Sequence, residues 1–270
     1  MRGDRGEIQA RSRSRGRPAR GHAGTLVLVA HGTRSAAGEA TLAALAEEVR
    51  RTRPGHRVEL GFLEISSPPL AGVLAQVPGP VVVVPLLLAG GYHVHVDLPE
   101  VVARARPDTL VADPLGPHAL ITSVLARRLA SAGLRSTDAV ILGAAGSSDP
   151  AALADVRSAA RLLSVRLARP VTAAFASAGT PSVTAALERL RSGPAPRIAV
   201  ASYLLAPGFF QGRLESSGAE VVSRPLGAEE ELADLVWRRC DEAVARVAVA
   251  GHDGPVARVA VLRRARASGA

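Results

Sequence analysis

A chain of 270 residues with 47% apolar but only 3% aromatic residues has material for two ordinary domains whose cores are Val, Leu and Ala, which favours α/β layering over a β-sandwich. The net charge of +9 sits in the ends: seven Arg face Asp4 and Glu7 in residues 1–24, and four Arg face Asp253 in residues 251–270, so the body is nearly neutral and specific nucleic-acid binding is not indicated. The single cysteine, Cys240, excludes an internal disulfide and a zinc–thiolate cluster; without a secretory signal or an apolar run of membrane-spanning length, a cytoplasmic, non-membrane protein is expected.

Residues 1–24 are Arg, Gly and Ser without hydrophobic period and are expected to be a disordered basic tail. Thr25 to Ala30 is a short β-branched apolar run that ends at His31-Gly32-Thr33-Arg34. From Glu39 to Arg51 the residues Leu42, Leu45, Ala46 and Val49 recur at helical spacing. Val58 to Leu63 reads as a second strand and Pro69 to Gln76 as a short helix. Val81 to Leu88 is continuously apolar, as suits a strand buried on both faces of a parallel sheet. Asp97-Leu-Pro-Glu100 has the pattern of a helix start, with Asp97 as N-cap and Glu100 at N3. Leu110 to Ala112 is a fourth strand and Leu120 to Ala130 another helix, so the pattern is that of βαβ units.

The second half repeats this plan. Val140 to Ser148 matches Leu26 to Arg34, Phe175 to Pro181 matches Phe62 to Pro68, and Ser202 to Phe210 matches Pro85 to His93. The expected organisation is a domain over residues 25–134, a second over 135–248, and a basic tail over 249–270. Gly32, Phe62, Pro68, Leu87, Leu88 and Gly91 have identical counterparts in Gly146, Phe175, Pro181, Leu204, Leu205 and Gly208, which marks them as scaffold. Three positions change type completely: His31 becomes Ala145, Glu64 becomes Ser177 and His93 becomes Phe210. Two histidines and a carboxylate thus vanish together while the scaffold stays, as in a duplicated domain of which one copy kept a site. All three follow strands, and in a doubly wound sheet the loops after the strands lie along one edge, where ligands bind. Imidazole with carboxylate suits Fe2+, Co2+, Ni2+ or Zn2+, and three or fewer protein ligands leave room for a substrate. His95 is a rival to His93, being on the same side of an extended segment. His22, His56, His118 and His252 lie in tail or turn-like segments and are expected to be solvated.

Val29-Ala-His-Gly-Thr-Arg34, Phe62-Leu-Glu-Ile65 with Pro68, and Pro85-Leu-Leu-Leu-Ala-Gly-Gly-Tyr-His93 with Asp97-Leu-Pro99 resemble the sirohydrochlorin cobalto- and ferrochelatase family, over roughly residues 25–245. The resemblance implies an α/β, chelatase-like fold of two tandem Rossmann-like or flavodoxin-like domains with parallel sheets. It implies insertion of a divalent metal, Fe2+ for siroheme or Co2+ for cobalamin, into sirohydrochlorin with release of two protons. His31 and His93 would hold the metal and Glu64 would assist, while His95 matches no family ligand. The metal is substrate, and no tightly bound cofactor is expected. The missing triad of the second domain implies one site per chain, and two domains in one chain make a monomer sufficient for a cleft.

Sirohydrochlorin carries eight carboxylates. The backbone near Gly90 and Gly91 and the Arg34 guanidinium are candidate receivers for them; because all 33 basic residues are Arg, the Arg34 assignment rests on position alone. Tyr92, Phe209 and Phe210 are candidates for an apolar wall against the ring. Metal binding needs neutral imidazoles, so activity is expected to fall in acid. A histidine phosphatase, the enzymatic rival, would carry Arg before its histidine where this chain has Ala30. A non-catalytic metal or tetrapyrrole carrier on the same scaffold is the rival from another class.

Overall fold

The apolar runs become parallel strands in the computed structural model, which describes residues 24–91, 96–193 and 197–250. The first half runs β1 (Thr25–Ala30), α1 (Ala36–Thr52), β2 (Val58–Phe62), α2 (Leu70–Gln76), β3 (Val81–Pro85), α3 (Leu98–Ala105), β4 (Leu110–Val111) and α4 (Ala119–Ser131). The second runs β5 (Ala139–Ala144), α5 (Pro150–Leu167), β6 (Val171–Phe175), α6 (Val183–Arg191), β7 (Ile198–Tyr203), α7 (Phe209–Glu215), β8 (Val221–Val222) and α8 (Glu230–Ala250). They form two all-parallel sheets, ordered β2-β1-β3-β4 and β6-β5-β7-β8. This is the flavodoxin-like order, in which the chain changes direction of winding between the first and third strands.

The repeat read from the sequence is preserved in register. Ala30 pairs with Phe62 and Val29 with Pro85, and their counterparts pair alike: Ala144 with Phe175 and Gly143 with Ser202. Alternate residues of each central strand serve two cores. Val27, Val29, Val81 and Val83 pack outward on α2 and α3. Leu26, Leu28, Val82 and Val84 face inward and join Val140, Leu142, Ala199 and Ala201 in one core shared by both halves. Each fully buried Val or Leu contributes roughly 1.5–3 kcal/mol relative to exposure.

The two halves exchange their last helices. Helix α4 packs on β7 of the second sheet and α8 on β3 and β4 of the first. On α8, the Trp237 Nε1–H donates to Val49 O and Thr52 Oγ1, both at 3.0 Å, and Asp241 takes a bidentate bond from Arg53 at 2.9 and 2.7 Å. Cys240 lies buried on this helix, and burial pushes its thiol up to about 12.

Three expectations about local structure are corrected. The third strand ends at Pro85 rather than Leu88. Leu86 N–H still donates to Val29 O, but Pro85 has no N–H to offer on the β4 side, where β4 pairs only with Val82 and Val83. The second copy has Ser202 there, and its N–H is satisfied by Ser223 Oγ at 3.0 Å. Asp97 makes no side-chain cap bond to α3: its own angles are helical (φ −64°, ψ −49°), whereas a capping residue needs an extended backbone. Two of the four histidines expected to be solvated are engaged. The His56 ring stands edge-on to Trp237, with centroids 5.1 Å apart, and His118 caps α4, its Nδ1 accepting the Leu120 N–H at 3.1 Å. His22 and His252 lie outside the described residues, as do most of the two basic tails.

Burial, and then the charges of Arg239 and Arg238, hold the His118 imidazole below its ordinary value. A depressed pKa means that folding favours the neutral ring, so this stability is present above the unfolded value near 6.5 and lost as pH falls through the lower, folded value. Urea unfolding of wild type is therefore expected to weaken between pH 7 and pH 5. His118→Asn, which can accept the same bond without titrating, should be flatter over that range; an unchanged slope would refute the role given to His118.

Candidate functional site

Strand β1 ends at Ala30, and its direction delivers His31, half-buried, to the carboxyl edge of the first sheet. Strand β2 continues alongside it for two more residues: Leu63 N–H donates to Ala30 O at 2.9 Å and Glu64 N–H to His31 O at 3.0 Å. His31 and Glu64 are thereby backbone neighbours, with the Glu64 side chain exposed. Gly32 is what permits this. Its φ is +103°, and a Cβ there would lie 2.0 Å from Glu64 O. Ser66 Oγ then accepts from Thr33 N–H and donates to Thr33 O, both at 3.0 Å, and ties the two loops together. Between them Ile65 takes a φ of +64°, a sterically costly conformation for a β-branched residue, of the order of 1–3 kcal/mol.

Beyond this tie, Ser35 caps α1 by accepting the Gly38 N–H at 3.2 Å. Arg34 is exposed and forms no ion pair among the described residues. The loop after β3 is held from the opposite half. Tyr203 Oη donates to Leu88 O at 2.8 Å, and the Asp155 carboxylate accepts the Gly90 N–H at 2.8 Å. Gly116 lies against both partners of the first bond; a Cβ there would come 2.2 Å from Leu88 O and 2.3 Å from Tyr203 Oη. Burial, reinforced by the charge of Asp155, pushes the Tyr203 phenol far above its usual range, so it stays a donor. Gly91 packs toward Ala152 and Ser147 at the start of α5. The pseudo-symmetric contact also exists: Gly208 of the second half lies against Thr33 and Ser35, and Gly38 against Pro207 O.

Of the residues expected to act, His31 and Glu64 are neighbours through their backbones, with Arg34 three residues beyond His31. Tyr92, His93 and His95 lie outside the described residues. Among the described residues no three His, Cys, Asp or Glu side chains gather at metal-binding spacing; His31 and Glu64 are two of the expected three. Two expectations are corrected. The Gly90 amide does not await a substrate carboxylate, because Asp155 already takes it. Phe210 does not line the site with its neighbour: it packs in the outer core of the second half, while Phe209 is 73% exposed. Asp155 and Tyr203 were missed. Their signal was available in the repeat, since their counterparts are Thr41 and Leu86, a change of type in the opposite direction to that of the triad.

The second copy shows a like frame, with Ala145 and Ser177 in the places of His31 and Glu64. Ser177 N–H donates to Ala145 O at 2.9 Å, and Gly146 has a φ of +102° with a Cβ position 2.2 Å from Ala178 O.

Two flavodoxin-like sheets whose switch-point loops interlock, one of them presenting imidazole and carboxylate, define the class of two-domain chelatase folds. The CbiX family model matches residues 25–132 and again 139–243, and the chain belongs to that family. It is 25% identical to a sirohydrochlorin ferrochelatase of Priestia megaterium over 231 residues, which span 78% of this chain and 87% of the relative. Over 106 residues it is 31% identical to a sirohydrochlorin cobaltochelatase of Sulfolobus acidocaldarius, covering 37% of this chain and 85% of the relative. The fold matches that of SirB from Bacillus subtilis with Fe3+ at a TM-score of 0.72 and 23% identity, covering 83% and 96% of the two chains.

Tyr203→Phe keeps the ring and removes only the hydroxyl, leaving Leu88 O without its donor. The expected loss is about 0.5–1.5 kcal/mol of stability, read by urea unfolding. An unchanged midpoint would mean that this bond contributes nothing to holding the halves.

Proposed function

We propose that this chain is a sirohydrochlorin chelatase that inserts a divalent metal, Fe2+ or Co2+, into the macrocycle at a single site in its first half. The observation that carries this reading is the backbone pairing of His31 with Glu64 at the switch-point edge of one sheet, where the other sheet pairs Ala145 with Ser177 in the same way. Membership of the CbiX family and relatives named for both metals support it. Insertion exchanges two pyrrole N–H protons for one M2+. In this reading His31 and His93, as neutral imidazoles, hold the ion and release it to the ring nitrogens. Glu64 accepts a departing proton or completes the ion's shell, which its exposed position at the edge allows. Arg34 pairs with a peripheral carboxylate of the ring. Both halves belong to one chain, so a monomer is sufficient to form the cleft.

The test is anaerobic metal insertion into sirohydrochlorin, followed by absorbance, with Fe2+, Co2+, Ni2+ and Zn2+ in parallel. Wild type is expected to turn over many times. His31→Ala and His93→Ala should each lose about 100-fold or more, and Glu64→Gln about 10²–10⁴-fold if it carries the proton. Ser177→Ala, in the other copy, should match wild type. Stoichiometric metal retention without turnover would replace the enzyme by a carrier.

A further inference from the structure

The turn that carries Glu64 contains a side chain whose conformation the fold does not explain. Ile65 has a φ of +64°, and Ser66 N–H closes the turn on Glu64 O at 2.6 Å. This is a three-residue γ-turn of the positive-φ form, the rarer and more strained of the two. The second copy makes the equivalent connection without this strain. There the positive φ falls on Gly179, at +125°, and Ala178, the counterpart of Ile65, is not in the left-handed region. The scaffold therefore does not require a β-branched residue in that conformation.

Nor does packing compensate for it, because Ile65 is 55% exposed. Among the described residues the other exposed large apolar side chains are Leu162 and Val165 on α5, Val247 and Val249 on α8, and Phe209 at the start of α7. Of these described residues, Ile65 and Phe209 are the two that adjoin residues in contact with the turn after His31. Ser66, next to Ile65, binds both the N–H and the carbonyl of Thr33, and Gly208, next to Phe209, faces the Thr33 hydroxyl. The two thus border one turn from different halves of the chain, two residues from His31. Ile65 is thus strained there without burial to offset it, and strain of this kind clusters at functional sites.

We propose that Ile65, together with Phe209, contacts the apolar face of the tetrapyrrole macrocycle and is a specificity-determining residue for a flat, largely apolar ring bearing peripheral carboxylates. This rests on the chelatase reading above.

Metal-free sirohydrochlorin and Co2+ are titrated separately into wild type, Ile65→Gly and Ile65→Val, and each protein is melted. Ile65→Gly is expected to melt at the wild-type temperature or up to about 4 °C above it. It should bind the tetrapyrrole about 5- to 10-fold more weakly and bind Co2+ as wild type does. Ile65→Val should keep most of the tetrapyrrole affinity. Wild-type tetrapyrrole affinity in Ile65→Gly overturns the contact, and a clear drop in its melting temperature makes Ile65 a folding residue instead. A parallel loss of Co2+ affinity means that Ile65 acts by holding Glu64, which also overturns the contact. A wild type that binds no tetrapyrrole removes the chelatase reading and this inference with it.

Discussion

Gly32 runs so close to the carbonyl of Glu64 that a Cβ has no place there, and its φ of +103° belongs to glycine on separate grounds. Through that approach the end of β2 stays hydrogen-bonded to the end of β1 two residues past the sheet, which makes His31 and Glu64 backbone neighbours. Gly146 makes a like approach in the second copy, to the carbonyl of Ala178, one residue further along. The backbone frame stands in both copies, with His31 and Glu64 on one and Ala145 and Ser177 on the other. Chemistry in this fold is a matter of which side chains are hung on a backbone crossing that glycine makes possible.

The half that lacks the triad still does structural work at the site. Its Tyr203 and Asp155 hold the Leu88–Gly91 loop of the first half, and its α8 covers the first sheet while α4 covers the second. Neither sheet is closed by helices of its own half alone, and the inward faces of both sheets share one apolar core. Removing one half would expose that core and leave the Leu88–Gly91 loop without two of its anchors. The two halves therefore cover each other.

Much of this was legible in the chain itself. Alternation of apolar runs with helical spacing identified the parallel α/β class, and comparison of the two copies separated scaffold glycines and prolines from His31, Glu64 and His93. Both signals are local, or need only alignment of the chain with itself. The misreadings have a common cause. Asp97 looks like a cap and Pro85-Leu-Leu-Leu like continuous strand, but capping depends on backbone angles and strand length on the neighbouring strand. Phe210 and Phe209 are adjacent and chemically identical, yet one is partly buried against the outer core and the other is mostly exposed, which only the setting of α7 against β7 decides.

By itself, then, the sequence determined the repeat, its register, the fold class and the asymmetry between copies, because period, composition and type changes are properties of the string. The tertiary structure alone decided that α4 and α8 trade sheets, that Asp155 takes the Gly90 amide, and that Ile65 is strained and exposed beside Glu64. These are contacts between residues far apart in the chain, or backbone angles imposed by them, and no local preference encodes them.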